Sequence, residues 1–183
     1  RLLAVHGHPA GPKPAGGDVA KRRRCLEELV RQMSDFYCGK RVFLTGHTGF
    51  KGAWLSELLL CAGAEVTGYA LCPPSGGIFQ ALGLENRMTS VIGDVRDLEH
   101  LRDAFRACRP EIVFHLAAQP LVRESYRDPA GTYSTNVLGT VNLLECVRTC
   151  VGVRSVLNVT TDKVYRNEER LRGYRENEVL DGY

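Results

Sequence analysis

Arg41-Val-Phe-Leu-Thr-Gly-His-Thr-Gly-Phe-Lys-Gly-Ala-Trp-Leu55 is the stretch that decides the fold. Apolar, strand-like residues run directly into glycines at 46, 49 and 52, and an apolar helical pattern follows. A parallel strand that ends in a tight turn needs a residue tolerant of positive φ, and a bulky anion needs the backbone to come close. The helix that follows aims its first amides at that anion, for which a pyrophosphate is the natural candidate. The glycine spacing alone carries little information; a strand before it and a helix after it make it a dinucleotide site. The competing reading is a glycine-rich turn closing an ordinary βα unit.

Outward from this stretch, strands and helices alternate. Strands are expected at 42–45, 65–71, 90–93, 112–116 and 156–159, with a proline- and glycine-rich loop over 72–77. Helices are expected at 53–61, with Leu55, Leu58 and Leu59 on one face, and from Asp97 onward, with Leu98, Leu101, Ala104, Phe105 and Cys108 inward. Asp97 reads as the N-cap of that second helix. A third helix is expected over 134–148, with Val137, Val141, Leu144 and Cys146-Val147 inward. The near-continuous apolar run at 112–116 suits a parallel strand covered on both faces. The alternation specifies an α/β, doubly wound parallel sheet with right-handed crossovers, the Rossmann-type arrangement. Residues 163–183 are polar and irregular and read as a loop over a site.

The chain has 183 residues, enough for one well-buried α/β domain, and 44% of them are hydrophobic. The net charge of +3 conceals a split: residues 1–34 hold seven Lys/Arg against three Asp/Glu, the rest 17 against 18. The folded part carries no basic surplus, which argues against nucleic-acid binding. Pro9–Gly17 has linker composition and is followed by Lys21-Arg-Arg-Arg24, read as a solvated tail without the apolar stretch of a signal peptide. The domain reading is therefore a flexible leader over 1–34 and a partial dinucleotide-binding domain over 35–183. Met33 would make a natural protein start. The cysteines at 25, 38, 61, 72, 108, 146 and 150 form no C-x-x-C pair and have no histidine partners nearby. Neither a metal site nor a disulfide framework is expected, and reduced cytoplasmic thiols fit the pattern. No apolar run approaches a membrane span.

Ligands of doubly wound sheets bind beyond the carboxyl ends of the strands. The second strand ends at Tyr69-Ala-Leu-Cys72 with neither an acid for an adenosine ribose nor an arginine for a 2′-phosphate, so NAD and NADP stay undecided by that cue. After the third, Asp94 either accepts from an adenine amino group or caps the next turn. After the fourth, His115-Leu-Ala-Ala-Gln119 offers small alanines against which a flat ligand can lie, and His115 reads as a core histidine. After the fifth, Thr160-Thr-Asp-Lys163 brings hydroxyls, a carboxylic acid and an amine together where chemistry would be sited; a plain polar turn is the alternative.

Thr45–Gly52, His115–Tyr126, Thr132–Thr140 and Gly173–Glu178, with Asp-Lys at 162–163, resemble the extended short-chain dehydrogenase/reductases, and within them the sugar-nucleotide 4,6-dehydratases. The resemblance covers about residue 36 to the last residue and is nearest to the branch acting on CDP-glucose. It implies a lyase with permanently held NAD as a temporary hydride store, a nucleotide-sugar substrate, CDP-glucose, and a homo-oligomeric full-length form. The C4 hydroxyl is oxidised, water is eliminated across C5 and C6, and the hydride returns to C6. By the same resemblance the cofactor would meet Gly46, Thr48, Gly49, Phe50, Lys51, Gly52, Asp94, Val95, Leu116, Ala117, Ala118, Gln119 and Thr135. Thr161 would bond the C4 oxygen, Asp162 would protonate the departing C6 hydroxyl, and Lys163 would stand at the position of the C5 base.

The family's Tyr-x-x-x-Lys pair is expected shortly after Tyr183, together with the last strands and the substrate domain; none of the chain's tyrosines has a lysine four residues later. Arg170 and Arg172 stand where tryptophans are usual, Val179 replaces a proline and Asp181 a glycine. These residues on their own imply an inactive fragment. Another nucleotide-sugar dehydratase or epimerase, or a non-catalytic NAD-binding fragment, are the rival readings.

Overall fold

The structure, a computed structural model, describes residues 28, 30–161 and 164–181. Its frame is a parallel sheet of β1 (Arg41–Thr45), β2 (Glu65–Ala70), β3 (Thr89–Ile92), β4 (Ile112–His115) and β5 (Ser155–Asn158). The strand order is β3-β2-β1-β4-β5, so the chain winds outward from β1 in one direction and then returns to start again beside it. The reversal lies between β1 and β4, where Thr45 is in register with His115. Each strand begins within a residue or so of its expected start.

Alternation along β1 explains its central place. Val42 and Leu44 enter a cluster with Leu59, Val66, Ile112 and Phe114 on one face, beneath helix α1 (Phe50–Cys61). Phe43 points the other way, into Tyr69, Leu101, Phe105, Val113, Leu143 and Cys146. That face is covered by α3 (Leu98–Cys108) and α6 (Gly139–Thr149). Each fully buried Leu or Phe contributes about 1.5–3 kcal/mol relative to exposure. Between β2 and β3 the chain makes the short helix α2 (Ile78–Ala81) and a 3₁₀ turn over Leu84–Asn86, packing Phe79 and Leu84 on Ala53.

Helix α3 starts where its sequence says. The Asp97 side chain accepts from His100 N at 3.1 Å, and Arg109 closes the helix in the left-handed region at φ 49°. Helix α1 differs from expectation. It opens three residues earlier, at Phe50, and turns Gly52, Ala53, Ser56 and Leu59 inward. Leu58 is 49% exposed, because two residues beyond inward-facing Ser56 is about 200° around the helix.

The expected helix over 134–148 is also corrected. It is preceded by α4 (Val122–Arg127) and α5 (Pro129–Tyr133), and Ser134–Leu138 is a π-helical turn that leads into α6. Gly139, Leu143 and Cys146 face the core, whereas Val137, Val141 and Leu144 are each about half exposed. Two apolar stripes run along this segment, and close packing of Gly139 on Val95 selects the one that faces inward.

Residues 30–37 are helical, crossing the boundary placed at 34, and Tyr37 packs on the α1-side core. Residues 1–27, most of the expected leader, lie outside the described residues. Past β5 the chain is irregular, as expected, apart from one antiparallel bridge between Tyr165 and Leu180.

Candidate functional site

The β1–α1 turn is shaped by its glycines. Gly46 has φ 77°, its N–H donates to Tyr69 O at 2.9 Å, and a Cβ there would lie 2.8 Å from Ala117 N. The turn thus presses on the segment after β4. A Cβ on Gly52 would overlap the Gly46 carbonyl, so the third glycine seats α1 on the turn. Gly49 is different. It is exposed, adopts extended backbone (φ −79°, ψ 170°) as N-cap, and leaves the first amides without a side-chain cap. The Ala53 N–H is the first to find its acceptor, Gly49 O at 2.8 Å. The amides of Phe50, Lys51 and Gly52 open the helix unpaired, which is the geometry that binds an anion. Thr48 is buried, and its hydroxyl donates to Leu71 O at 3.0 Å, tying the turn to the end of β2.

After β3, Asp94 performs the capping role that the sequence left open. Its Oδ1 accepts from Arg96 N at 2.9 Å, and its carboxylate pairs with the Arg96 guanidinium, closest at 2.5 Å. The Arg96 side chain holds its carboxyl below the usual range. Asp94 follows β3 at the same, carboxyl edge of the sheet as the glycine turn, and its carboxylate accepts four hydrogen bonds from Arg96, two on each oxygen. Val95 is buried beneath Gly139.

After β4, Leu116 and Ala117 donate their N–H groups to Thr45 Oγ1, both at 3.2 Å. Ala118 is exposed, and its methyl is small enough for a flat ligand to lie against. Gln119 is gripped at both backbone groups by Asn136: its N–H donates to Oδ1 at 2.7 Å and its carbonyl accepts from Nδ2 at 3.1 Å. Gln119 Nε2 in turn donates to Thr132 Oγ1 at 3.0 Å. Thr135 sits half-buried in the π turn beside Asn136.

His115 is a satisfied core histidine, as its apolar neighbours suggested. It is buried, with Nδ1 2.6 Å from Thr45 Oγ1 and Nε2 3.0 Å from Thr140 Oγ1, and burial pushes its pKa down to about 4. His47, inside the glycine turn, is equally buried. Its Nε2 lies 2.7 Å from Ser90 Oγ, its ring meets Phe79 edge-on, and burial depresses it to about 4 as well.

Three residues past β5, Thr161 is exposed on the same sheet edge as the other sites, next to Thr160. Thr160 has φ 38°, a conformation that β-branched residues avoid and that concentrates at functional sites. Asp162 and Lys163 lie outside the described residues. Beyond them Arg170 and Arg172 both pair with Glu178, and Arg170 lies 4.3 Å over Tyr174, whose ring stacks on Tyr165. The two arginines that depart from the family pattern are therefore spent inside their own loop.

Glycine turn, Asp94 turn, 116–119 segment and Thr161 all lie at the carboxyl edge of the sheet, astride the reversal between β1 and β4, where a dinucleotide fits. A cavity of about 710 Å³ lined by Arg41, Glu65 and Thr89 lies at the opposite, amino-terminal edge and has no part in this site. Among the described residues no group of His, Cys, Asp and Glu is placed to hold a metal. The positioning residues Thr45, Asn136, Thr140 and Asn142 were missed by sequence reasoning; an asparagine within a helix carries no signal of what it will grip.

Known proteins match this arrangement. The family model for GDP-mannose 4,6 dehydratase matches residues 43–181. CDP-glucose 4,6-dehydratase of Salmonella typhimurium is 55% identical over 150 residues, which is 81% of this chain and 42% of that protein. UDP-glucose 4-epimerase of Mycolicibacterium smegmatis is 37% identical, covering 66% of this chain and 38% of the relative. Among solved structures, UDP-glucose 4-epimerase from Thermotoga maritima, crystallised with UDP-glucose, superposes with TM-score 0.67 at 29% identity, covering 78% of this chain and 45% of that one. UDP-glucose 4-epimerase from Brucella ovis in complex with NAD gives TM-score 0.66 at 28% identity, covering 79% and 42%. The chain spans less than half the length of each of these relatives.

Proposed function

This chain belongs to the GDP-mannose 4,6-dehydratase family, and from that premise we propose that it forms the NAD-binding part of a nucleotide-sugar 4,6-dehydratase acting on CDP-glucose. The cofactor half of the proposal is carried by the β1–α1 turn: bare Gly49, unpaired amides at 50–52, and Gly46 pressed against the 116–119 segment. Those amides would hold the pyrophosphate. Asp94, with the Val95 backbone, would receive the adenine amino group, and Leu116–Gln119 with Thr135 would border the second nucleotide. The residues at the edge fit such a group, because no side chain fills the space above Gly49 and Ala118 is exposed. The substrate half rests on the 55% identity to the Salmonella enzyme.

When bound, NAD supplies a place to store the sugar's hydride and return it. The chain's own residues direct protons around that exchange. Thr161 would bond the C4 oxygen and fix the sugar at the end of β5. Asp162 would give its proton to the departing C6 hydroxyl, which requires its pKa to be raised by burial under substrate. Lys163 would act at C5, either as a base with depressed pKa or as a cation that stabilises the enolate. The proton acceptor for the C4 hydroxyl, a tyrosine followed four residues later by lysine, is not among residues 1–183. We place the protein in the cytoplasm, since its described cysteines are free thiols and no described helix is long and apolar enough to cross a membrane. The complete enzyme is proposed to be a homo-oligomer.

The test is turnover of CDP-glucose labelled with deuterium at C4 by the complete enzyme that carries this chain. The proposal requires a 4-keto-6-deoxy product with the label at C6. Preferential conversion of UDP- or GDP-hexoses, or epimerisation without loss of water, would overturn it.

A further inference from the structure

Two loops at the carboxyl edge, one after β3 and one after β4, lean on the same helical segment. On the β3 side, Asn142 of α6 donates Nδ2 to Val95 O at 3.0 Å and to Arg96 O at 3.1 Å. One turn before it, Gly139 receives the Val95 side chain so closely that a Cβ there would come within 2.6 Å of Val95 Cγ2. On the β4 side, Asn136 of the π turn holds both backbone groups of Gln119, and Thr140 meets His115. Thr132, Asn136 and Thr140 follow one another at four-residue steps and all face residues 115–119. In an unbroken α-helix each such step overshoots a full turn by about 40°, so three residues would fan across the surface. The wider π turn at Ser134–Leu138 takes up that drift and keeps them in line.

We propose that the helical segment 132–149 is a strut that sets the two halves of the dinucleotide cleft in register, with Asn142 positioning the Asp94 turn and Asn136 positioning the Leu116–Gln119 segment. The strut rests on reading this edge as a dinucleotide site. The first three strands of such a fold carry the adenosine half and the strands beyond the reversal carry the other, so each asparagine serves one half. Both are positioning residues: Asn142 acts through the backbone that carries Asp94, and Asn136 through the backbone of Gln119. Loss of either leaves backbone groups without their side-chain partner at one loop only, part-buried ones at Gln119 and Val95 and an exposed one at Arg96.

Two readouts on the full chain test this. In hydrogen exchange, Asn136→Ala is expected to speed exchange of the Gln119 amide about tenfold or more while Arg96 and Asp97 keep their protection, and Asn142→Ala to do the reverse. In calorimetric titration, Asn142→Ala is expected to weaken AMP and NAD alike by about tenfold, and Asn136→Ala to weaken NAD by about tenfold while sparing AMP. If an alanine variant fails to fold, Asn136→Leu, which keeps the size and removes both polar atoms, and Asn142→Asp, which withdraws the donor, take its place. Uniform loosening of both loops by either variant, or equal loss of AMP and NAD affinity in both, would reduce the asparagines to general stability and overturn the strut. The exchange split combined with a wild-type chain that binds neither AMP nor NAD would uphold the strut and overturn the cofactor reading.

Discussion

Thr45 and His115 end adjacent strands in register and share a buried hydrogen bond of 2.6 Å between Oγ1 and Nδ1. A single proton arrangement satisfies every neighbour. Thr140 Oγ1 donates to Asn136 O at 2.7 Å and therefore accepts from His115 Nε2–H. Nδ1 is then an acceptor for the Thr45 hydroxyl, whose oxygen accepts the Leu116 and Ala117 amides. A neutral imidazole thus holds the start of the 116–119 segment to β1; an imidazolium would face Thr45 with a second donor and break the chain of bonds.

Acid should therefore destabilise this fold through His115 and His47. Both are depressed by burial from 6.5 to about 4. A histidine held neutral when folded contributes stability that is fully present above 6.5 and is lost as pH falls toward 4, because the unfolded chain takes up the proton first. The difference is worth on the order of 3 kcal/mol for each histidine. Urea unfolding between pH 7 and pH 4 should show this slope, and a His47→Gln, His115→Gln variant should flatten it. An unchanged slope in the double variant would remove both histidines from the account.

Gly52→Ala should cost roughly 1–3 kcal/mol or more, since its methyl overlaps the Gly46 carbonyl and forces α1 off the turn. Gly173→Ala, where nothing lies within 4 Å of the added methyl, should stay within about 0.5 kcal/mol. Thermal melts of the two variants side by side check the contrast, and equal midpoints would contradict the packing described for the third glycine.

The 183-residue chain on its own should self-associate. Among the described residues β5 pairs only with β4, and Val156, Leu157 and Val159 are 37%, 48% and 39% exposed. An open apolar edge recruits other strands, and a charge placed on it discourages them. Sedimentation should show association that Leu157→Lys reduces; a monodisperse wild-type monomer would count against it.

The elements legible in sequence were those with one possible face and a marked end. Asp97 before a single apolar stripe gave α3 its start and its inward side, and the glycines after β1 gave the turn. Of the residues read as inward over 134–148, Cys146 and Val147 do meet the core, whereas Val137, Val141 and Leu144 lie on a second apolar stripe that faces outward, and only contact of Gly139 with Val95 decides between the two stripes. Helix α5 went unread although its signal is present: Asp128 caps Gly131 N at 2.8 Å with Pro129 in the first turn. Asp94 could be read two ways because a carboxylate just past a strand end can either cap the next turn or accept from a ligand's amino group; the structure shows the cap on Arg96. The grips of Asn136 and Asn142 depend on where distant loops arrive, which no local pattern encodes.

Lys163 should separate elimination from oxidation in the complete enzyme. A lysine near its reference pKa of about 10.4 is protonated at neutral pH, so its charge is suited to stabilising an enolate. Lys163→Met should abolish exchange of the C5 proton with solvent while sparing the initial oxidation at C4. An equally severe loss of that first step would assign Lys163 to substrate or cofactor positioning.

The central claim, that the glycine turn receives the pyrophosphate of NAD, is tested most directly by titrating NAD into the wild-type chain and into Gly49→Asp. The substitution has room, with Gly46 O at 3.4 Å from the new Cβ, and the extended backbone at Gly49 suits an N-cap aspartate. The account predicts one saturable site in the wild type, and in the variant a melting temperature kept or raised while NAD affinity falls by more than about tenfold, as a carboxylate takes up the amides at 50–52 and repels the anion. NAD binding undiminished in Gly49→Asp, or no NAD binding by the wild type, would contradict it.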